Sequence, residues 1–409
     1  MANSINYAAV FNRILDEKFY IMPRTLWMEN TTPGMVYEGG KYIKVPIMET
    51  DGLGDMQNGR APSGDLVLDW ETKELEYHRG RSFEILQWDP DMTNFALTVS
   101  NVMNVFMREQ AVPELDKIRI GRVSIGAVNY GSRCVKAQST AGITSANVLG
   151  LLLDDIATVQ DRIGETEQLF IQISTKMKNL LQNSTQIQKY LNVRDFSIRS
   201  ITTRIEAIND QYMIGTPSGY MHSVFRLNDG RTSGQTVGGV AFTDLGPGIN
   251  WIISSRRAVD AIAKPQITKV IDPMTNQEGQ FWKIIFDLFH GVWTFDNKKD
   301  GLLVNMDTTL PTFTVSSEAG TESVGDSVIT TTAAFDKRLP AKLVWKAASG
   351  TAPSVTFGTA LTTANGWADL PADGLISTTN AYKITVALVA RDSLLPLAYG
   401  SGTVVAKAS

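Results

Sequence analysis

Hydrophobic and polar positions change period several times along the chain, and each change marks an element. Tyr7, Val10, Phe11 and Ile14 recur at helical spacing and predict a short docked helix in the leader. The stretch "GGKYIKVPIMET", 39–50, predicts an edge strand, because Pro46 has no N–H to give to a central ladder. Its expected partner is "DLVLDWETKELEY", 65–77, where Leu66, Leu68 and Trp70 alternate with Val67, Asp69 and Glu71. Between them "TDGLGDMQNGRAPSGD" is turn and loop chemistry with little to pack. A long hairpin follows, and its bare edges are an aggregation liability unless another chain covers them.

After "LEYHRGRSFEI", 75–85, the period becomes helical. Asp89 is a good N-cap, Pro90 suits the first helical position, and Asp91 favours the positive end of the helix dipole. Met92, Phe95, Val99, Val102 and Phe106 form one apolar stripe, and Pro113 should end or kink the helix. Val148, Leu152, Ile156, Val159 and Ile163 predict a second helix, "QLFIQIS" (168–174) a buried strand, and "TKMKNLLQNS" another helix. In "SRRAVDAIAK" the charges of Arg256, Arg257 and Lys264 read as a solvated helix face, or as contacts to nucleic acid or to a partner's carboxylates. The segment 269–306 reads as an antiparallel meander bracketed by turns at 272–279 and 296–301. From about Leu310 the chain turns rich in Thr, Ser, Ala and Val. Short alternating runs with Trp345 in a middle strand suit an immunoglobulin-like sandwich, reached through the linker "DTTLPTF", 307–313. The fold class is therefore α+β with an all-β C-terminal part.

Composition narrows the function. The chain has 409 residues, 43% hydrophobic and 20% charged, enough for a sizeable core. A net charge of −4 argues against a surface built to grip nucleic acid. Cys134 is the only cysteine, which excludes an intrachain disulfide and reads as a small buried hydrophobe. The N-terminus lacks the pattern of a signal peptide, and "VLGLLL" is far short of the ~20 apolar residues that cross a bilayer, so no membrane is expected.

Chemistry is sparse. His78, His222 and His290 belong to no ligand spacing, no phosphate-cradling or nucleophile-elbow motif occurs, and the one thiol has no adjacent base. Asp154 and Asp155 in "LLLDDI" point in different directions from a helix and read as solvated. "DGLGD" lacks the ligand pattern of a calcium loop. No catalytic, cofactor or metal residue is expected; a hydrolase using Asp154 or Asp244 is the weakest of the readings.

"HRGRSFEILQWDPDMTN" with the following helix and "REQAVPELDKIRI", and later "DPMTNQEGQFWKIIFDLFHGVWTFDNKKDGLLVN", resemble the major capsid proteins of tailed bacteriophages, whose shell fold is shared with encapsulins and the herpesvirus capsid floor. The resemblance covers residues 1–306 or so. It implies an N-terminal arm (1–30), an extended hairpin loop (31–88), a peripheral-domain spine helix (89–124), an axial domain (125–264) and returning peripheral strands (265–306), followed by the immunoglobulin-like domain (307–409). It implies a virion shell of hexamers and pentamers of this one chain, assembled in the host cytoplasm, and no enzyme. A separate scaffolding protein, a portal and weak non-specific contact with packaged DNA are the implied partners. By analogy the tail decorates the capsid or meets host-surface glycans. The hairpin would lie over a neighbouring subunit, and "RGRSFEI" would sit at its root. Trp70, Arg79, Arg81, Phe83, Ile85, Arg256 and Arg257 are then the candidate inter-subunit contacts. The alternative from another class is a surface adhesin that binds through the C-terminal domain.

Overall fold

In the computed structural model the described residues are 23–29, 36–37, 41–56, 60, 63–89, 98–184, 191–198, 201–208, 211–241, 245–265 and 269–407. The leader helix expected over Tyr7–Ile14, and Pro90, Asp91, Met92, Phe95 and Asp244, lie outside them. Two compact units form: one from described residues of 29–103 and 260–292, the other from 23–28, 104–259 and 293–407.

In chain order the elements begin with strands β1 (Val36–Tyr37), β2 (Tyr42–Thr50), β3 (Leu66–Glu74) and β4 (Tyr77–Leu86). Helix α1 (Val99–Phe106) continues through a π turn (Met107–Ala111) into α2 (Val112–Asn129). Then come β5 (Val135–Ala137), α3 (Val148–Ile163), β6 (Leu169–Ser174), α4 (Thr175–Gln182), β7 (Leu191–Ile198), β8 (Ile201–Ile208) and β9 (Gln211–Thr216). They are followed by β10 (Arg226–Leu227), β11 (Val240–Ala241), β12 (Ile249–Ser255), β13 (Val259–Pro265), β14 (Lys269–Ile271), β15 (Phe281–Thr294) and β16 (Leu302–Met306). The C-terminal strands are β17 (Val315–Ala319), β18 (Asp326–Thr331), β19 (Ala341–Ala348), β20 (Ala368–Asp369), β21 (Leu375–Ser377), β22 (Lys383–Ala390) and β23 (Pro396–Thr403).

In the first unit β2 and β3 pair antiparallel from Tyr42↔Glu74 to Thr50↔Leu66, the expected hairpin. β2 is the middle strand of three, and the described β1 pairs with it only at Ile43 and Lys44, so among the described residues Pro46 meets a single ladder partner, Trp70. β4 runs antiparallel to the long β15, from Phe281↔Leu86 to His290↔Tyr77, and β13 and β14 join the same sheet. At Gly80 a Cβ would stand 2.7 Å from the Phe286 carbonyl oxygen, so the two backbones meet there only because the side chain is absent.

In the second unit a seven-stranded sheet runs β5-β16-β12-β6-β9-β8-β7. β6 is buried at every residue, including Gln172, whose Nε2 donates to Thr216 Oγ1 at 3.1 Å. One face of this sheet packs against α3 and α4: Val148, Leu152, Ile156, Val159, Met177 and Leu181 cluster with Ile171, Ile173, Trp251 and Ile253. α2 is buried nearly all round, through Leu115, Ile118, Ile120, Val123, Ile125 and Val128. The segment 23–28 is pinned to it: the Asp116 carboxylate accepts from Thr25 N–H (3.1 Å), Thr25 Oγ1 (2.6 Å) and Arg24 N–H (3.1 Å). Burial pushes the Asp116 carboxyl up, against the lowering effect of these hydrogen bonds and of Arg119. Trp27 stacks on Phe170 with ring centres 5.0 Å apart.

Three expectations are corrected. Pro113 does not end the helical path: it follows directly on a π turn in which Val112 N–H donates to Met107 O, five residues back, so the proline falls where the regular i→i−4 ladder is already interrupted. "SRRAVDAI" is not helical, since Arg256 and Arg257 occupy the turn between β12 and β13. The stretch 269–306 is not a single meander. β14 and β15 pair antiparallel, but β16 joins the seven-stranded sheet, antiparallel to β12 and parallel to β5. The described part of the first long helix begins at Val99, where Thr98 Oγ1 accepts from Asn101 N–H. Asp89 accepts from Leu86 N–H.

The C-terminal all-β part is a sandwich of a three-stranded sheet, β17-β18-β21, and a four-stranded one, β20-β19-β22-β23. Trp345 does lie in a middle strand, and Val315, Ile329 and Ile376 of one sheet pack with Ile384 and Val386 of the other. Compared with a four-plus-three immunoglobulin arrangement, the short fourth strand β20 pairs with β19 rather than with β21. The expected linker is not free: Phe313 N–H donates to Tyr399 O and Tyr399 N–H to Pro311 O. Asn129, at the end of α2, donates to Pro340 O (3.2 Å) and accepts from Asp392 N–H (2.8 Å), and Arg122 reaches Arg338 O (2.6 Å).

Candidate assembly surface and a buried polar centre

The β2–β3 register decides which side chains share a face. Opposite one another stand Pro46 and Trp70, Met48 and Leu68, and Thr50 and Leu66. With a period of two, these six residues line one side of the ribbon. Met48 is 64% exposed, Leu66 68%, Leu68 53% and Trp70 43%. Toward the root the other side closes on the core, where Ile43 and Val45 are buried. The hairpin thus has a buried root and an open apolar flank further out. Beyond it Leu53 and Met56 are exposed in the tip, and Asp65 N–H donates to Asp51 Oδ2 (2.8 Å) at its neck.

The candidate contact residues do not form one patch. Tyr77, Arg79, Arg81, Phe83 and Ile85 all fall on one side of β4 by alternation. Their cross-strand partners on β15 are His290, Leu288, Phe286, Ile284 and Trp282, the first four of them buried. Tyr77 and Ile85 are buried at the two ends and Arg81 is exposed between them. Arg79 and Arg81 therefore share the side of the strand that carries its apolar anchors, and both already hold interactions within the chain. On the other side His78 Nε2 lies 2.5 Å from Asp287 Oδ1, its ring stacked on Phe289. Arg257 pairs with Glu167 at 3.3 Å. Among the described residues no group of three or more His, Cys, Asp or Glu side chains could hold a metal, and no helix is long and apolar enough to cross a membrane.

The other concentration of polar groups surrounds Asp155, which the sequence places on a solvated helix face. Asp155 is not solvated: it is fully buried. Lys136 Nζ lies 2.5 Å from its Oδ1, while Trp251 Nε1 and Asn305 Nδ2 each donate to its Oδ2 at 2.9 Å. Asn250 Nδ2 donates to Asn305 Oδ1 (2.9 Å) and to Gln138 O (3.2 Å), and Thr140 Oγ1 to Asn250 Oδ1 (2.8 Å). The legible signal was positional, since Asp155 stands three residues after Leu152 and four before Val159, on the apolar stripe of α3. Lys136 in "VKA" and Asn305 in "LLVNM" are polar interruptions of apolar strands.

No sequence-family profile and no curated protein matches the chain. Solved structures similar to it include the capsid of the cyanophage P-SCSP1u, at 12% identity and a TM-score of 0.46, covering 67% of this chain and 85% of that one. The capsid of Staphylococcus phage Andhra is similar at 10% identity and a TM-score of 0.43, covering 69% and 84%. A virus-like particle from Pyrococcus furiosus is similar at 10% identity and a TM-score of 0.39, covering 73% and 99%.

Proposed function

We propose that the chain is the repeating subunit of an icosahedral virion shell, a major capsid protein whose mechanism is packing and not chemistry. The observation that carries this is the hairpin with a buried root and an open apolar flank. A two-stranded ribbon is marginal alone in water, and each large apolar side chain that a neighbour covers contributes about 1.5–3 kcal/mol. A second copy of the chain is the partner that a shell supplies at every position, and the same ribbon then gains a place to lie.

In this reading residues 1–30 are the arm, 31–88 the extended loop, 89–124 the spine, 125–264 the axial domain, 265–306 the returning strands and 307–409 the sandwich. Trp70 is the principal inter-subunit anchor. Arg79, Arg81, Arg256 and Arg257 adjust charge at the rim, and Phe83 and Ile85 hold the root. Scaffold, portal and DNA act as partners in assembly. The adhesin alternative gains nothing from the structure, because the sandwich is tied to α2 through Asn129 and Arg122. The test is negative-stain microscopy and sedimentation of the full chain beside a version in which 51–65 is replaced by a two-residue turn. Closed shells from the first and only small species from the second are expected; small species from both under all assembly conditions, with or without scaffold, would sink the proposal.

A further inference from the structure

We infer that Lys136 and Asn305 form an intrachain isopeptide bond, with Asp155 as the proton carrier. Cross-strand register places the two residues opposite each other on the parallel pair β5–β16. The Asp155 carboxylate bridges them, one oxygen 2.5 Å from the lysine amine and the other 2.9 Å from the asparagine amide nitrogen. The Asn305 carbonyl oxygen is the atom that takes up negative charge when an amine adds to Cγ, and it already accepts from Asn250 Nδ2 at 2.9 Å. Asp155, Asn305, Asn250 and Trp251 are all buried, so these interactions act with little competition from water. An amine, a primary amide, a proton acceptor between them and a donor on the carbonyl are the complete set for transamidation.

The step balances without an outside reagent. Asp155 takes a proton from the Lys136 ammonium, and the freed amine adds to Asn305 Cγ. The Cγ–Nδ2 bond then breaks as Asp155 returns its proton to the departing nitrogen. The adduct's remaining surplus proton leaves with it, so an ammonium ion and a secondary amide replace the lysine ammonium and the primary amide. Nothing is oxidised or reduced. Lys136 has its side chain 39% exposed, which gives the product a way out. The bond would tie down β5, a three-residue edge strand.

The experiment is intact mass spectrometry of the denatured full chain, incubated after folding until its mass is constant, with a tryptic map. A loss of about 17 Da, one ammonia, is expected together with a branched peptide joining the Lys136 and Asn305 fragments. Lys136→Arg should restore the full mass. An unchanged mass in the wild-type chain overturns the proposal. So does a loss of about 17 Da with the two peptides recovered separately, which marks a cyclic imide at an asparagine instead. The wild-type map decides alone if the variant does not fold.

Discussion

Trp70 stands directly opposite Pro46 across the β2–β3 ribbon, on its open side. The pair joins the residue that has no N–H to give to the ladder to the largest side chain on the exposed apolar flank. Trp70→Asp should leave the subunit's denaturation midpoint nearly unchanged, within about 0.5 kcal/mol, since the ring is not part of the core. Shell formation followed by sedimentation should be lost, and Leu68→Asp should behave alike.

Gly80→Ala should destabilise the first unit by about 1–3 kcal/mol, because the new methyl meets the Phe286 carbonyl at 2.7 Å and a paired backbone cannot yield. Chemical denaturation measures it. An effect below a few tenths of a kcal/mol would mean that β4 and β15 are spaced more widely than described.

Asn129→Ala removes both hydrogen bonds from the end of α2 to the sandwich strand ends at Pro340 and Asp392. A loss of about 1–2 kcal/mol is expected, with hydrogen exchange accelerated around 338–341 and 390–393 and unchanged in β6.

Cys134 is buried, and burial pushes its thiol up to about 11. At a pH near 8 almost none of it is thiolate, so a disulfide reagent should label the native chain only as fast as the site opens, and quickly in denaturant. Fast native labelling would contradict the burial.

Asp300 is held below the ordinary carboxylate range by a hydrogen bond from the Arg133 guanidinium, and by its charge. A folded value below the unfolded one means that the contribution is complete at neutral pH and fades as pH falls through the folded value, below about 4. Acid titration of melting temperature should therefore be shallower in Asp300→Asn than in the wild type. The difference is small, since the pair is exposed.

Local physics wrote much of this into the chain. Alternation and turn residues fixed the hairpin over 42–74, the apolar stripe fixed α3, the short mainly apolar segment "LFIQIS" fixed β6, and the short alternating strands around Trp345 announced the sandwich. Period says which residues share a face, and it does so before any contact is made. It does not say what that face meets. Only the tertiary structure decided that β16 leaves its sequence neighbours for the seven-stranded sheet, that Pro113 is carried by a π turn, and that Arg79 and Arg81 stand on the side of β4 that holds its buried anchors. Asp155 makes the point most sharply. Its place on the stripe of α3 was visible, but the amine, the indole and the amide that make burial of a carboxylate tolerable come from β5, β12 and β16, as far as 150 residues away.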